Sequence, residues 1–202
     1  GHFTADFRIS RISSDGYIDR ASSDLKSIYG SVAYIGEKNS LRLNVFSGKE
    51  KTYQSWYGVS EADLAAGKRR MNSAGTEKPG DPYENETDNY TQTHYQLFFN
   101  QQIKPSLHFN TAIFLTTGKG YYEQYKAGRD FAEFGLPYPV NGNDTTFEAD
   151  FVRQLWLDND FYGNTFSLQY NGPKTEATLG GAYTRYTGHH FGKVIWSSAV
   201  NI

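Results

Sequence analysis

Two short polar sequences contain side chains of the kinds that bind metal ions. His189 and His190 place two imidazoles next to each other, and in an accessible loop they could ligate a metal ion or contact a ligand. Adjacent residues of an extended chain point to opposite sides, so a shared metal would need a bent loop and further ligands. Asp158-Asn159-Asp160 opens like a calcium loop, but Gln169 stands where an EF-hand has its bidentate glutamate. We therefore expect neither a metal site nor a cofactor, and both histidines remain candidates for ligand contact.

The other reactive side chains do not form the pattern of an enzyme. The chain has no cysteine, no Gly-x-Ser-x-Gly sequence and no His-Glu-x-x-His sequence. Its carboxylates show no spacing that predicts acid–base catalysis. The net charge is -2 at pH 7, and the one compact basic run is Lys68-Arg69-Arg70. A solvated loop explains that run better than a nucleic-acid site, so we expect no nucleic-acid partner.

Aromatic side chains offer a different chemistry, the recognition of flat or sugar-like ligands. Trp56 and Tyr57 fall in one long polar segment, and Tyr121, Tyr122 and Tyr125 fall in the next. Aromatic faces stack on sugars and flat chelates, while the polar edges of Tyr and Trp stay in water. These residues are our candidates for lining an external ligand vestibule. The alternative is that they brace long strands against one another.

Strands are the elements that must position these side chains. Of the 202 residues, 16% are aromatic and 20 are glycine, a composition that favours strands joined by turns. Apolar and polar side chains alternate through 94–115 on both sides of a break at 102–106, which is typical of a β-hairpin. A capping box at 60–63 predicts a short helix. Alternation predicts eight strands, at 3–10, 25–35, 41–45, 94–101, 107–115, 151–170, 175–186 and 194–200.

The connections between these strands alternate in length. Short turns and longer loops follow one another, the turns at 36–40, 102–106 and 171–174 and the loops at 13–23, 48–91, 118–150 and 187–193. Barrels of the bacterial outer membrane have this asymmetry, with short periplasmic turns and long external loops. The mean hydropathy of -0.66 fits such a barrel, because lipid-facing and lumen-facing residues alternate. From the residues alone a soluble β-sandwich remains the alternative.

Several longer sequences resemble a known family. They follow one another through nearly the whole chain: SDGYIDRASSDL (14–25), LRLNVFSGKEKTYQSWYGV (41–59), NETDNYTQTHYQL (85–97), GKGYYEQYK (118–126), WLDNDFYG (156–163) and GHHFGKVIW (188–196). Together they resemble the barrel domain of TonB-dependent outer-membrane receptors. The resemblance implies an all-β, antiparallel, up-and-down transmembrane β-barrel segment, part of a 22-stranded barrel that encloses an N-terminal plug domain.

For function, the resemblance implies nutrient import across the cell outer membrane. Such receptors bind a scarce ligand, typically a ferric siderophore, haem, cobalamin or a glycan, and import it with energy passed on by the TonB complex. Residues 1–202 would form a single barrel segment. We expect the plug domain, the remaining strands and any signal peptide to lie outside this sequence. The expected partners are outer-membrane lipid, the small nutrient, and the TonB complex through the missing plug domain.

The resemblance also assigns the two faces of the hairpin at 94–115. The face with Tyr95, Leu97, Phe99, Leu107, Phe109, Ile113 and Leu115 would meet lipid, and the face with His94, Gln96, Asn100, His108 and Asn110 would meet the lumen or the plug. The alternative function is a carbohydrate-binding module on a soluble β-sandwich. An outer-membrane lipid hydrolase is a more distant alternative, because it would need a Ser–His pair that the sequence does not indicate.

Overall fold

The computed structural model describes residues 1–201 and is dominated by one antiparallel sheet. Seven long strands lie side by side in chain order, so each strand pairs with its neighbours in sequence. They are β1 (Phe3–Ser14), β2 (Ser23–Ile35), β3 (Asn39–Tyr53), β4 (Thr87–Lys104), β5 (Leu107–Asp130), β8 (Glu148–Asn171) and β9 (Glu176–Ser197). A small hairpin of β6 (Val140–Asn141) and β7 (Asp144–Thr145) lies in the connection between β5 and β8. The all-β, antiparallel prediction is confirmed.

Two predicted strands are in fact one. The sequence predicts separate strands at 175–186 and 194–200, but β9 runs unbroken from Glu176 to Ser197 along β8. The predicted loop at 187–193 is therefore wrong, and the main sheet has seven strands rather than eight. Gly188 explains the error: a Cβ there would lie 2.6 Å from the hydroxyl oxygen of Tyr186. This glycine makes room for a tyrosine within the strand and does not form a turn.

The strands also extend further toward the long loops than alternation indicates. β5 and β8 each have 24 residues, so the connection between them is shortened to 131–147. Glycine again gave a false loop signal, because the hydroxyl of Tyr90 lies over Gly118 and the tyrosine ring approaches Gly120. The predicted helix is present as α1 (Glu61–Ala65), with the hydroxyl of Ser60 accepting a hydrogen bond from the Asp63 amide at 3.1 Å. A 3₁₀ turn covers Phe131–Phe134.

Short and long connections lie at opposite ends of the sheet. The connections at 36–38, 105–106 and 172–175 define what we call the turn end, and those at 15–22, 54–86 and 131–147 define the loop end. Sequential antiparallel pairing requires this separation, because successive connections must alternate between the two ends. Among residues 1–201, no helix has the length and apolar character needed to cross a membrane.

The two faces of the sheet differ in chemistry near the turn end. One face, the apolar face, carries a continuous apolar band, and the opposite polar face carries mainly hydroxyl, amide, imidazole and small side chains. Many side chains of the band are exposed, Phe7 at 72% and Leu179 at 69% for example. The band consists of Phe3, Phe7, Ile9, Ile28, Val32, Tyr34, Leu41, Leu43, Val45, Tyr95, Leu97, Phe99, Leu107, Phe109, Ile113, Leu115, Tyr162, Phe166, Leu168, Tyr170, Leu179 and Tyr183.

In the part of the chain described, the one cluster of buried hydrophobic side chains lies toward the loop end. Phe131 and Phe151 are fully buried, and their rings meet edge to face at 4.9 Å. Ala149 completes this small cluster, and Phe134 and Leu136 pack against it. Residues 1–201 form no second large sheet packed on the first, so the two-layer sandwich is not formed. The sheet is open and does not close into a barrel within this chain.

Candidate functional site

The structure divides the predicted ligand-binding residues between the two faces of the sheet. The sequence predicts a loop at 118–150, but Tyr121, Tyr122 and Tyr125 of that segment lie within β5. Consecutive strand residues point to opposite faces, so Tyr122 lies on the polar face and the other two lie on the apolar face. The five aromatic residues therefore do not line one vestibule.

Trp56, Tyr57 and Tyr122 do come together, and we call them the aromatic corner. The Trp56 ring lies edge-on to Tyr122, with centroids 5.8 Å apart, and 6.4 Å from Tyr57. Trp56 and Tyr57 are each more than half exposed. The corner lies on the polar face at the loop end, where Tyr122 is paired across strands with Asp88. An exposed aromatic pair of this kind can stack on a flat ligand or contact a cation.

Tyr121 belongs instead to a row of aromatic side chains on the apolar face, beyond the band. Its ring lies 4.6 Å from that of Trp156, which in turn lies parallel to Phe191 at 6.0 Å. The Lys193 ammonium is 4.9 Å from the Trp156 ring centroid, within cation–π range. Sequence analysis missed Trp156 and Phe191 as partners, because their proximity follows only from the register between β8 and β9.

Tyr125 is a buried brace. Its hydroxyl donates a hydrogen bond to a carboxylate oxygen of Asp150, and its side chain is almost completely buried. Burial and the bond to Asp150 raise the pKa of Tyr125 to about 12. The connection between β3 and β4 covers this part of the sheet, and its Tyr83 ring lies 5.8 Å from Tyr125. The contacts of Tyr125 match the alternative role predicted for the aromatic residues, which is to brace long strands against one another.

Glu123 is the centre of the hydrogen-bonded network beneath that connection. The Tyr83 hydroxyl and the Asn85 amide each donate to its Oε1 at 2.6 Å. The Gln154 amide donates to its Oε2 at 2.7 Å, so both carboxylate oxygens are satisfied. Burial and the bond to Glu123 raise the pKa of Tyr83. This buried carboxylate holds β5, β8 and the loop together, which sequence analysis did not anticipate.

Arg20 ties the first long loop to the second. It has a positive φ of 63°, unusual for a residue other than glycine. Its guanidinium donates to the backbone oxygens of Asn72 and Ala74, at 2.5 and 2.9 Å. The guanidinium also lies 5.6 Å from the centroid of the Tyr53 ring. These contacts of the guanidinium offset the conformational strain at Arg20, and they hold the two loops together.

The predicted histidine pair is separated by the strand that contains it. His189 lies on the apolar face opposite Asp158, and His190 lies on the polar face opposite Leu157. The Tyr186 hydroxyl oxygen is 3.5 Å from Nε2 of His190. The loop position predicted for both residues is wrong. Across residues 1–201, no three His, Asp or Glu side chains are arranged to hold a metal ion.

On the polar face, one row of side chains crosses β1 to β5 at the level of the band's upper edge. Arg8, Tyr29, Phe46, His94 and Thr116 are successive cross-strand partners. The Phe46 and His94 rings stack at 4.3 Å, and Nδ1 of His94 lies 2.9 Å from the Thr116 hydroxyl. The sequence alone does not predict this row, because the row depends on the register between strands that are far apart in the chain. We call it the Arg8 row.

Comparison of the chain with known protein families, with curated proteins and with solved structures found no match. The features of the molecule that bear on function are therefore the geometry of the sheet, its band and its polar face.

Proposed function

We propose that this chain is a wall segment of an outer-membrane β-barrel of the TonB-dependent receptor type, whose intact parent imports a scarce nutrient. The observation that carries the proposal is the apolar band. It crosses all seven strands on one face, and no Asp, Glu, Lys or Arg occupies it. In water such a surface would be a large exposed hydrophobic patch, whereas lipid provides it with a matching solvent.

The dimensions of the band support this proposal. From Leu107 to Leu115, β5 covers about 27 Å at about 3.4 Å per residue. A transmembrane β-strand, tilted by about 45°, needs about 9–11 residues, and the segment 107–115 has nine. Charged residues of the same face begin at the loop-end edge of the band, where Arg185 lies opposite Tyr162, and the others are Arg11, Lys26, Lys49 and Asp160. The hydrocarbon core of the membrane would end at the level of these charged residues.

The connections support an orientation in the membrane. Bacterial barrels have short periplasmic turns and longer extracellular loops. The turn end would therefore face the periplasm, and the loop end, with the aromatic corner, would face outside. A seven-stranded open sheet has unpaired edges, which a larger barrel would pair with further strands. A 22-stranded wall of the kind found in outer-membrane transporters suits this segment.

The ligand and the partners follow from the same proposal. The polar face would line the lumen, where a plug domain from outside this sequence would sit and contact the TonB complex. The aromatic corner at the loop end would meet an incoming nutrient. Iron chelates are slightly favoured over glycans, and both stack on aromatic rings. The location is the cell outer membrane, with lipid around the band.

Lipid quenching in the intact parent tests this proposal. Single cysteines are placed along 94–115, labelled with a fluorophore and reconstituted into vesicles that contain brominated lipid. Residues 1–202 contain no cysteine, so once any cysteine in the rest of the parent has been replaced, each label reports one position. We expect strong quenching at positions 95, 97, 99, 107, 109, 113 and 115, and weak quenching at the positions between them.

Two matched positions on distant strands extend the measurement. Val32 on β2 and Leu179 on β9 belong to the band, and Ser31 and Thr178 are their neighbours on the polar face. The same contrast at both pairs would support a band that meets lipid along the whole sheet. Absence of quenching at every band position would contradict the proposal, because the band would then pack on protein.

A further inference from the structure

A hollow on the polar face has a chemistry that differs from the rest of that face. It has a volume of about 430 Å³ and crosses β1 to β4 on the loop-end side of the Arg8 row. Its floor is a cross-strand row of small or narrow side chains, formed by Ser10, Ser27, Gly48 and Gln92. Larger side chains on either side of this row leave the depression between them.

The loop-end wall of the hollow combines apolar side chains with a carboxylate. Ile12, Leu25, Glu50 and Tyr90 are successive cross-strand partners in one row. Ile12 is 62% exposed although its face is otherwise polar. Glu50 therefore lies between Leu25 and Tyr90, where neither neighbour can neutralise its charge. An exposed apolar wall with one charged group is typical of a site for a small molecule.

No cation of the described chain balances Glu50. None of the ion pairs within residues 1–201 includes Glu50 or Asp88, which lies one diagonal away on the same face. Lys26 and Lys49 border the hollow, but both occupy positions of the opposite face. The Lys26 ammonium pairs with Asp24 at 3.0 Å. The arginines of this face in β1–β4 lie in rows nearer the turn end, at Arg8 and Arg42.

We propose that this hollow binds an organic cation with an apolar stem, the ammonium or guanidinium contacting Glu50 and the stem lying against Ile12, Leu25 and Tyr90. Asp88, on the same face, strengthens the attraction at the same end of the hollow. Ser27 and Gln92 provide hydrogen-bonding groups along the floor. The inference rests on the proposed function, in which this face lines a wet lumen, and it names the ligand chemistry that the lumen selects.

Two sources supply such a cation. It is either the charged end of a free nutrient or a lysine or arginine side chain of polypeptide that fills the lumen. The binding chemistry is the same for both, because each has a positive group on a flexible hydrocarbon stem. An accessibility measurement separates them, since a free ligand leaves the hollow open and a polypeptide side chain occupies it from the start.

The test measures how fast a single cysteine at Leu25→Cys in the intact parent reacts with charged reagents. The reagents are 2-(trimethylammonium)ethyl methanethiosulfonate and its anionic sulfonatoethyl counterpart. Leu25 lies directly opposite Glu50, with Cβ atoms about 5 Å apart. With each rate divided by that reagent's rate with free 2-mercaptoethanol, we expect the cationic reagent to react about tenfold faster at low salt than the anionic one, because a carboxylate lies that close. Asn110→Cys on the same face, with amide and hydroxyl neighbours, should show little preference.

Three further variants connect this preference to the hollow. Glu50→Gln should remove most of the cation preference at Leu25→Cys and leave Asn110→Cys unchanged. Hexylammonium chloride should slow the modification at Leu25→Cys, and Gly48→Leu should abolish that protection by filling the hollow. A Cβ at Gly48 would meet only the Lys26 carbonyl oxygen, at 3.9 Å, so the strand accepts a side chain. Gly30→Leu is the matched control, because Gly30 also has open space but lies on the apolar face.

Each outcome decides the inference. A cation preference lost in Glu50→Gln, with protection by hexylammonium, supports a site for a free cation. A cysteine unreactive toward both reagents until Glu50 is changed to Gln supports occupation by a side chain of the polypeptide. Equal reactivity with both reagents, or no effect of Glu50→Gln, overturns the inference. Lipid quenching along 94–115 is measured separately, so failure here is distinguishable from failure of the barrel proposal.

Discussion

The turn end and the loop end of the sheet bury opposite kinds of side chain. Near the turn end the large apolar residues of the band are exposed, and toward the loop end Gln54, Asn72, Glu86 and Glu123 are each at least 95% buried. The loop end builds its own second layer from the connection at 54–86, where the amides of Gln54 and Asn72 and the carboxylate of Glu123 form hydrogen bonds. The turn end has no such layer. The contrast fits one chain in two surroundings, and under the proposed function lipid is the layer that covers the turn end.

Removal of Phe131 should have the largest effect and should act at the loop end alone. The ring is 1% exposed and packs on Phe151, so Phe131→Ala leaves a cavity and costs about 3–5 kcal/mol. We expect rapid protease cleavage within 131–147 of the intact parent in vesicles. Phe7→Ala, the same change at a 72% exposed band position, should leave that cleavage rate unchanged. Equal protection of both variants would show that this cluster does not hold the loop.

A charge in the band tests the turn end. Leu97 lies at its centre, flanked by Leu43 and Ile113, so Leu97→Arg should destabilise the protein in vesicles by about 2–4 kcal/mol. Urea unfolding followed by tryptophan fluorescence measures the difference. Gln96→Arg places the same charge on the polar face one residue away, where water solvates it, and should be much milder. Equal costs at the two positions would remove the distinction between the faces.

Loss of the Arg20 side chain tests how the loop end is held together. Arg20→Ala removes the guanidinium that donates to the backbone oxygens of Asn72 and Ala74, which costs about 1–3 kcal/mol. Amide hydrogen exchange should accelerate in 15–22 and 71–76, and remain unchanged in the strands at the turn end. Arg69→Ala, at an exposed arginine of the connection at 54–86, provides the control and should change neither segment.

The smallest expected effect concerns the pH dependence of the buried carboxyl of Glu86. Burial raises the pKa of Glu86 above its ordinary value, so the folded protein disfavours the charged form. Above that raised pKa the charge costs stability, and the cost disappears as the pH falls toward the ordinary value of a glutamate. Glu86→Gln should therefore stabilise the loop end by about 1 kcal/mol at pH 8, with a gain that vanishes at pH 4.

Hydrogen exchange of 71–86 measured at both pH values checks this prediction. Glu84→Gln in the same loop is the control and should show no such dependence. A gain that persists unchanged at pH 4 would contradict the assigned cause, because the carboxyl would then be neutral in both states.

Much of the turn end could be predicted from the sequence, and little of the loop end. Side-chain alternation is a local property, so Leu97 and Ile113 could be assigned to one face before their pairing was known. Trp156 and Phe191 stack because two strands align in one register, and Glu123 is buried by a loop that is distant in sequence. No local pattern in the sequence predicts those contacts.

Glycine accounts for the largest error in strand assignment. Gly188 and Gly118 indicated loops, although each makes room for a tyrosine side chain on a continuous strand. The predicted vestibule failed for a related reason: Tyr121 and Tyr122 are adjacent in sequence and therefore point to opposite faces. Only Trp56, Tyr57 and Tyr122 of the proposed aromatic set share a location.

The pairing of every long strand with its chain neighbour has a consequence for how such a wall can evolve. A hairpin is both a continuous piece of gene and a continuous piece of wall, so duplication or deletion of one hairpin adds or removes two adjacent strands. Register elsewhere is preserved, because the other pairings depend only on their own neighbours. In the proposed barrel, the circumference of the pore can therefore change through a single genetic event, while the loops diverge separately.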